Sequence, residues 1–203
     1  MMRMLLAFAT QVDRLSDSFS VIAKWAVLLS CFISASNAIV RYFLNTSSNG
    51  WLEIQWYMFA TCVMFGAAQV LRVNEHVRVD LFYGKLTGRG KVIVDLLGLI
   101  LFLLPVIGMM TWMTWDLFVS KLSSNMKLTD TVELLGWGGY LTQLFTSGEM
   151  SSNAGGLIRW PAVLTLPVGF ALVFLQGIAE IIKRIGWLTH QFEMDTHYER
   201  PLQ

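Results

Sequence analysis

Four stretches of the chain contain no Asp, Glu, Lys, Arg or His, and each is close to the length of a bilayer-spanning helix. A spanning helix needs about 20 mainly apolar residues, and a charged side chain at the bilayer centre is costly. These stretches are 25–40, 54–71, 96–115 and 160–179. Because long charged side chains at their ends can reach towards the headgroups, the pattern predicts transmembrane helices over about 22–44, 52–72, 93–117 and 159–182.

The segment before the first predicted span has a different pattern. Apolar residues recur there every three or four positions, opposite a polar face, as in a helix that lies in the membrane interface. These residues are Leu5, Phe8, Val12, Leu15, Phe19 and Ile22. We therefore predict an all-α membrane protein, a single domain over 1–203, in which an amphipathic interfacial helix over about 3–22 precedes four transmembrane helices. The apolar run Met4–Ala9 is short for a signal peptide, so we expect no cleavage.

Lys and Arg are distributed unevenly between the two sides that these spans define. The side holding both termini carries 11 of them and the opposite side carries four. Since cytoplasmic loops are enriched in Lys and Arg, we predict cytoplasmic termini, a periplasmic loop over 118–158 and a cytoplasmic tail over 183–203. The aromatic and acidic residues of the long loop suit contact with another protein or with the headgroups.

Composition agrees with a membrane protein and excludes several classes of function. Of the 203 residues, 55% are hydrophobic and only 14% are charged, against about 25% charged in soluble domains. The net charge of +1 gives no basic face for phosphates, so we expect no nucleic-acid partner. Cys31 and Cys62 lie in apolar runs without metal-ligand or disulfide spacing, and we interpret both as small hydrophobic residues.

The predicted spans do not indicate that this chain carries out transport or catalysis by itself. Their interiors lack ionisable residues, which a transporter or proton channel working alone usually needs at bilayer depth. The three histidines, His76, His190 and His197, are not spaced to ligate haem across a bundle. We predict no catalytic residue, no metal ligand and no cofactor. An enzyme is the least favoured class because the sequence shows no nucleophile, base or metal cluster in one place.

The remaining candidates lie at helix edges, where they suit anchoring or contact with a partner. Ser30 and Ser34 begin a stripe of small residues that permits close helix contact, or is merely tolerated by lipid. Arg41 and Glu53 can form an ion pair near the interface or contact headgroups. Arg72, Glu75 and His76 share a helix face that can lock the end of the second span, or simply be solvated. The candidate interface residues are Ser30, Ser34, Asn37, Arg41, Glu53, Trp56, Arg72, His76, Asp80, Arg159 and Glu180.

Several ordered motifs resemble the small, DctQ-like permease subunit of tripartite ATP-independent periplasmic (TRAP) transporters. They cover about residues 15 to 185. The motifs are Asn37-Ala-Ile-Val-Arg41-Tyr42-Phe43, Trp51-Leu-Glu53, Phe65-Gly66-Ala67-Ala68, Arg72-Val-Asn-Glu-His76-Val-Arg-Val79-Asp80, Gly155-Gly156-Leu157-Ile158-Arg159-Trp160-Pro161, Pro167-Val-Gly169-Phe170 and Leu175-Gln176-Gly177-Ile178-Ala179-Glu180. Gln55 departs from the family pattern, in which a second acidic residue is common near this point, and any role for an acidic pair there is in doubt.

The resemblance implies a subunit of the bacterial inner membrane that takes up no solute by itself. It implies a large, DctM-like permease subunit that holds the solute and sodium sites and moves like an elevator. It also implies a DctP-like periplasmic binding protein that delivers the solute, commonly a carboxylate. The small subunit is then a stationary scaffold, and a structural phospholipid is compatible with it. The alternative is a stand-alone four-helix membrane adaptor or assembly factor without a transport role.

Overall fold

Five α-helices make up most of the computed structural model, which describes residues 2–46, 48–74, 86–122, 138–139, 142 and 148–193. They are α1 (Met2–Leu44), α2 (Asn49–Val73), α3 (Gly88–Gly98), α4 (Leu104–Leu122) and α5 (Trp160–Leu188). One π-helical turn, Leu99–Leu103, joins α3 to α4. Four helices are long and apolar enough to cross a membrane, namely α1, α2, the continuous run Gly88–Leu122, and α5. The predicted all-α fold with four spans is confirmed.

Helix α5 is the centre of the bundle, because it packs against α1, α2 and α4. Helices α1 and α2 form an antiparallel pair on one side of it. Gly169 permits the closest approach, since a Cβ there would lie 2.6 Å from Cβ of Met64 on α2. The core combines Ala68 and Leu71 of α2 with Leu172 and Val173 of α5.

The two ends of the bundle differ in what they contain. The beginning of α1 and the end of α5 meet, with Leu6 within 3.4 Å of the Cβ position of Gly186. We call this the terminal end. The connection between α1 and α2 and the segment 148–159 lie at the opposite end, which we call the loop end.

The π-helical turn precedes a proline in the third span. Pro105 has no N–H for the carbonyl four residues before it, and its ring would clash with that carbonyl in a regular helix. The backbone widens instead, and the N–H of Leu104 bonds to the carbonyl of Leu99, five residues back. The span thus continues through the proline as one helical run.

Helix α1 runs without a break through the predicted interfacial helix over 3–22 and the predicted span over 22–44. The structure joins both segments in one helix of 43 residues, about 65 Å long. Its buried stripe consists mainly of small residues: Ala9, Val12, Ser16, Ser20, Ala23, Ala26 and Ser30. Leu5, Phe8, Leu15 and Ile22 of the predicted apolar face are exposed on the surface of the chain. Small side chains let helix backbones approach closely, so they, rather than the large apolar residues, face α2 and α5.

Candidate functional site

A cluster of charged and polar side chains joins four helices at the terminal end. We call it the terminal cluster. Its acids are Asp13, Asp17, Asp95 and Glu180, its bases are Arg72, Lys183 and Arg184, and its neutral members are Ser16 and Gln176. Helix α5 supplies Gln176, Glu180 and Arg184 at intervals of four residues, which places them on one face.

Glu180 has three side-chain partners in this cluster. One carboxylate oxygen accepts hydrogen bonds from Nζ of Lys183 at 2.8 Å and Nε2 of Gln176 at 3.2 Å. The other accepts from Arg184 at 2.6 Å. Arg184 also reaches Oδ2 of Asp95 on α3 at 3.3 Å. Glu180 and Arg184 are only 4% and 5% exposed, so this ion pair is shielded from solvent.

Asp13 connects α1 to the same group. Its Oδ1 accepts from Nζ of Lys183 at 2.7 Å and from Nε2 of Gln176 at 2.9 Å. The amide oxygen of Gln176 in turn accepts from the hydroxyl of Ser16 at 2.7 Å. Arg72 extends the cluster to α2 by pairing with Asp17. The terminal cluster therefore fixes α1, α2, α3 and α5 relative to one another.

A second group, at the loop end, is built around the carboxylate of Glu53 near the start of α2. The backbone N–H of Leu157 donates to it at 2.7 Å and Nδ2 of Asn153 at 2.8 Å, and the hydroxyl of Ser151 donates as well. Glu53 is 3% exposed. A Cβ at Gly156 would lie 3.0 Å from Oε1 of Glu53 and 2.6 Å from Cβ of Ser151. Glycine is thus needed there for the segment to close around the carboxylate.

Further contacts attach the same segment to the helices. The hydroxyl of Tyr57 donates to the carbonyl of Ile158 at 3.2 Å, and Nδ2 of Asn49 donates to the carbonyl of Ala154 at 3.0 Å. Met150 and Ile158 form an isolated antiparallel bridge across the segment. We call Glu53 and the segment that it binds, 148–159, the loop cluster.

Glu149 attaches the loop cluster to the ends of α4 and α5. Its two carboxylate oxygens accept from Nζ of Lys121 at 2.6 Å and from Arg159 at 2.8 Å. The hydrogen bond from Lys121, joined by the positive charges of Lys121 and Arg159, holds the pKa of the Glu149 carboxyl below its ordinary value. The acid is therefore ionised under neutral conditions, and it bridges the two helix ends.

Comparison with known proteins decides the family. The model of the family described as "Tripartite ATP-independent periplasmic transporters, DctQ component" matches residues 30–186. The chain belongs to the DctQ family. It is thus a small membrane component of a TRAP transporter, as the motifs indicated. No curated protein and no solved structure matches the chain.

The DctQ match begins at Ser30, so the first part of α1 lies outside it. The resemblance noted in the sequence was expected to start near residue 15. Asp13, Ser16 and Asp17 of the terminal cluster precede the matched region. Their partners on α2 and α5 lie inside it.

The structure assigns several predicted interface residues of this DctQ protein to the two clusters. Arg72 and Glu180 belong to the terminal cluster, and Glu53 and Arg159 lie at the loop end. Among the described residues, Arg41 and Glu53 do not form the ion pair that was one of the two alternatives for them. Glu53 is occupied by donors of the loop cluster, and Arg41 is exposed.

The other predicted residues lie on the helix pair α1–α2 or outside the described ranges. Ser30 is buried and donates to the carbonyl of Gln55 at 3.3 Å. Ser34 is half-buried, and Trp56 is exposed. Asn37 lines a cleft of about 300 Å³ with Ser36, Val40, Thr46, Ser48 and Trp51. His76 and Asp80 fall in the range 75–85, which lies outside the described residues.

Sequence reasoning missed the partners that complete both clusters. In the terminal cluster these are Asp13, Asp17, Asp95, Gln176, Lys183 and Arg184, and at the loop end they are Lys121, Glu149, Ser151 and Asn153. The spacing of Gln176, Glu180 and Arg184 at four-residue intervals was an available signal for a polar helix face. The contacts of Glu53 had no such signal, because Ser151 and Asn153 are 98 and 100 positions away in the sequence.

Proposed function

We propose that this DctQ protein is a non-catalytic, stationary scaffold for a large, DctM-like permease subunit in the bacterial inner membrane. The permease subunit then carries the solute and sodium sites. A DctP-like periplasmic protein delivers the solute, for which we propose a small organic acid. Family membership supports the transporter context, and the contacts within the chain support the scaffold role.

The observation that carries the scaffold role is that this chain itself supplies the hydrogen-bond donors for its buried carboxylates. In the described ranges these carboxylates are Glu53 and Glu180. Both carboxylates accept three hydrogen bonds from side chains or backbone of the same protein. A group that binds solute or coupling ion must release one set of partners for another, whereas these groups fix helices to one another.

The proposed topology places the terminal end in the cytoplasm and the loop end in the periplasm. The excess of Lys and Arg beside the termini supports it. Single cysteines test it in a protein whose Cys31 and Cys62 are replaced by alanine. A membrane-impermeant maleimide added to intact spheroplasts should label Asn153→Cys and not Glu193→Cys. The reverse labelling would contradict this orientation.

The scaffold role is tested by uptake into proteoliposomes with three compositions. We expect no uptake with this subunit alone, and sodium-driven uptake when the large subunit and the loaded binding protein are added. Omitting this subunit should abolish uptake or reduce it strongly. Uptake by this subunit alone would overturn the scaffold role, and failure to co-purify with the large subunit would favour a stand-alone adaptor. A screen of carboxylates against neutral analogues in the complete system tests the solute class.

A further inference from the structure

Lys24 lies on the outer surface of α1, away from both clusters. It is exposed, and so are its neighbours Val21, Trp25 and Leu28. Over the described ranges the structure gives Lys24 no ion pair and no side-chain hydrogen bond. Its ammonium group thus lies on a surface of large apolar side chains without a counter-charge from the described residues.

The packing of the helices shows how far along the bundle Lys24 lies. The neighbouring residue Ala23 contacts α2 beside Gly66, with its Cβ 3.9 Å from the Cβ position of that glycine. Two residues earlier on α2, Met64 contacts Gly169 of α5. Gly169 is 10 residues from Arg159 and 11 from Glu180 in the sequence, about 15 Å and about 16 Å along the helix. Lys24 is therefore level with the middle of the charge-free stretch of α5.

This position differs from the predicted one, at the edge of the first span. A lysine at the edge reaches the headgroups by extending its stem. The nearest charged residue on α1 in the direction of the terminal end is Asp17, seven residues or about 10 Å away along the helix. That distance exceeds the length of the four-carbon stem of lysine, and an isolated ammonium group at this depth is unfavourable in lipid.

The last turns of α1 extend beyond the start of α5 at the loop end. Ser30 bonds to α2 at Gln55, close to Tyr57, which contacts Ile158 just before α5 begins. The apolar residues Ile39, Tyr42, Phe43 and Leu44, which flank Arg41, follow Ser30 by nine to fourteen positions, so they extend about 13–21 Å further. Ile39, Tyr42, Phe43 and Leu44 are all exposed. The charge-free stretch of α1 is thus offset towards the loop end relative to that of α5.

The outer face of the third span, Gly88–Leu122, shows what a lipid-facing surface looks like in the same protein. Phe102, Met109, Trp112 and Met113 are exposed there, and the stretch that holds them carries no charge. Lipid tails cover such a face without leaving a charge unpaired. On α1, by contrast, Lys24 places a charge at the level of the middle of α5, and the apolar residues near Leu44 extend beyond the start of α5. Lipid tails neither pair such a charge nor cover such an apolar end.

We propose that the outer face of α1 is the docking surface for the large permease subunit. A carboxylate of that subunit meets Lys24 at the middle of the membrane. Apolar side chains of the large subunit cover a stripe of α1 whose members recur at helical spacing, namely Trp25, Leu28, Phe32, Ile39 and Tyr42. The proposal rests on the scaffold function above and adds the face, the helix and the charge of the partner.

Co-purification of the complete complex tests this docking surface. We expect Lys24→Glu and Lys24→Met to lower recovery of the large subunit by about tenfold or more, because each leaves the partner carboxylate unpaired in the membrane. Lys24→Arg should retain binding. A photo-crosslinking residue in place of Phe32 should capture the large subunit, and one in place of Trp112 on α4 should not.

Three controls separate the possible outcomes. The unsubstituted subunit must bind the large subunit; if it does not, the scaffold function fails and not merely the choice of face. The isolated Lys24 variants should unfold like the unsubstituted protein, since Lys24 forms no ion pair or side-chain hydrogen bond with the described residues; a changed unfolding would contradict the proposal. Binding that is unchanged by Lys24→Glu and Lys24→Met would overturn it and show that the ammonium reaches the headgroups.

Discussion

Replacing Arg184 by methionine should destabilise the subunit more than removal of any exposed basic residue. Methionine has a similar length but no charge, so Glu180 loses its shortest hydrogen bond, at 2.6 Å, and Asp95 loses its contact at 3.3 Å. The terminal cluster would then contain four acids and two bases. Removing one partner of a buried ion pair typically costs about 3–5 kcal/mol, because the other charge stays buried.

The lower end of that range applies here. Glu180 keeps Lys183 and Gln176 as donors, and Nε of Arg184 has no hydrogen-bond partner in the structure, so no interaction is lost there. We therefore expect the free energy of unfolding to fall by about 3 kcal/mol. The assay is reversible unfolding in mixed detergent micelles, followed by tryptophan fluorescence. Arg14→Met is the matched control: Arg14 is an exposed arginine at the same end, and its loss should change the free energy by at most about 0.5 kcal/mol.

A second substitution tests the physical reason for this effect. Glu180→Gln in the Arg184→Met background removes the stranded carboxylate, so the double variant should be more stable than Arg184→Met alone. Such a recovery is a coupling energy that independent sites do not show. If Arg184→Met were as stable as Arg14→Met, or if the second substitution added its own loss without recovery, the terminal cluster would not stabilise the fold by this mechanism.

Three further predictions concern the loop end and the packing of α5. Gly156→Ala should expose the segment 148–159 to proteases, because the added Cβ meets Ser151 at 2.6 Å, whereas Gly98→Ala, with no atom within 4 Å, should leave cleavage unchanged. The ionised Glu149 should stabilise this segment fully above the ordinary carboxyl pKa and lose that effect as the pH falls through its lowered pKa; in Lys121→Met, pepsin cleavage should begin at a higher pH. Gly169→Ala should lower the free energy of unfolding by about 1–3 kcal/mol in the micelle assay, and unchanged stability would contradict the close contact of α2 and α5.

The four spans could be predicted from the sequence because they depend on a local property. A charge is costly at the bilayer centre, so its absence over about 20 residues marks a helix wherever the helix packs. The loop cluster depends on distant residues instead. Glu53 was identified as a candidate, but the segment that binds it lies about 100 positions away, and nothing in the local pattern selects Ser151 and Asn153 as its partners.

The structure of α1 shows which feature of its sequence marks the face that packs within the protein. In water, large apolar residues mark the buried face of a helix. In a membrane bundle they face outward as readily, and small residues mark the packed face. The periodic residues from Leu5 to Ile22 therefore indicated a helix correctly, but Ala9, Ser16 and Ala23 form its contacts within the chain.

The same helix also separates two kinds of charged residue that look alike in the sequence. Asp13 lies on the packed face of α1, where Lys183 and Gln176 of α5 satisfy it, so it fixes the position of α1 in the bundle. Lys24 is eleven residues further along, on the outer face, and forms no ion pair with an acid of the described residues. Because Asp13 attaches α1 to α5, the same helix presents Lys24 at a defined level of the bundle. The proposed scaffold role requires both properties, since a partner that moves during transport would need a stationary surface to bind.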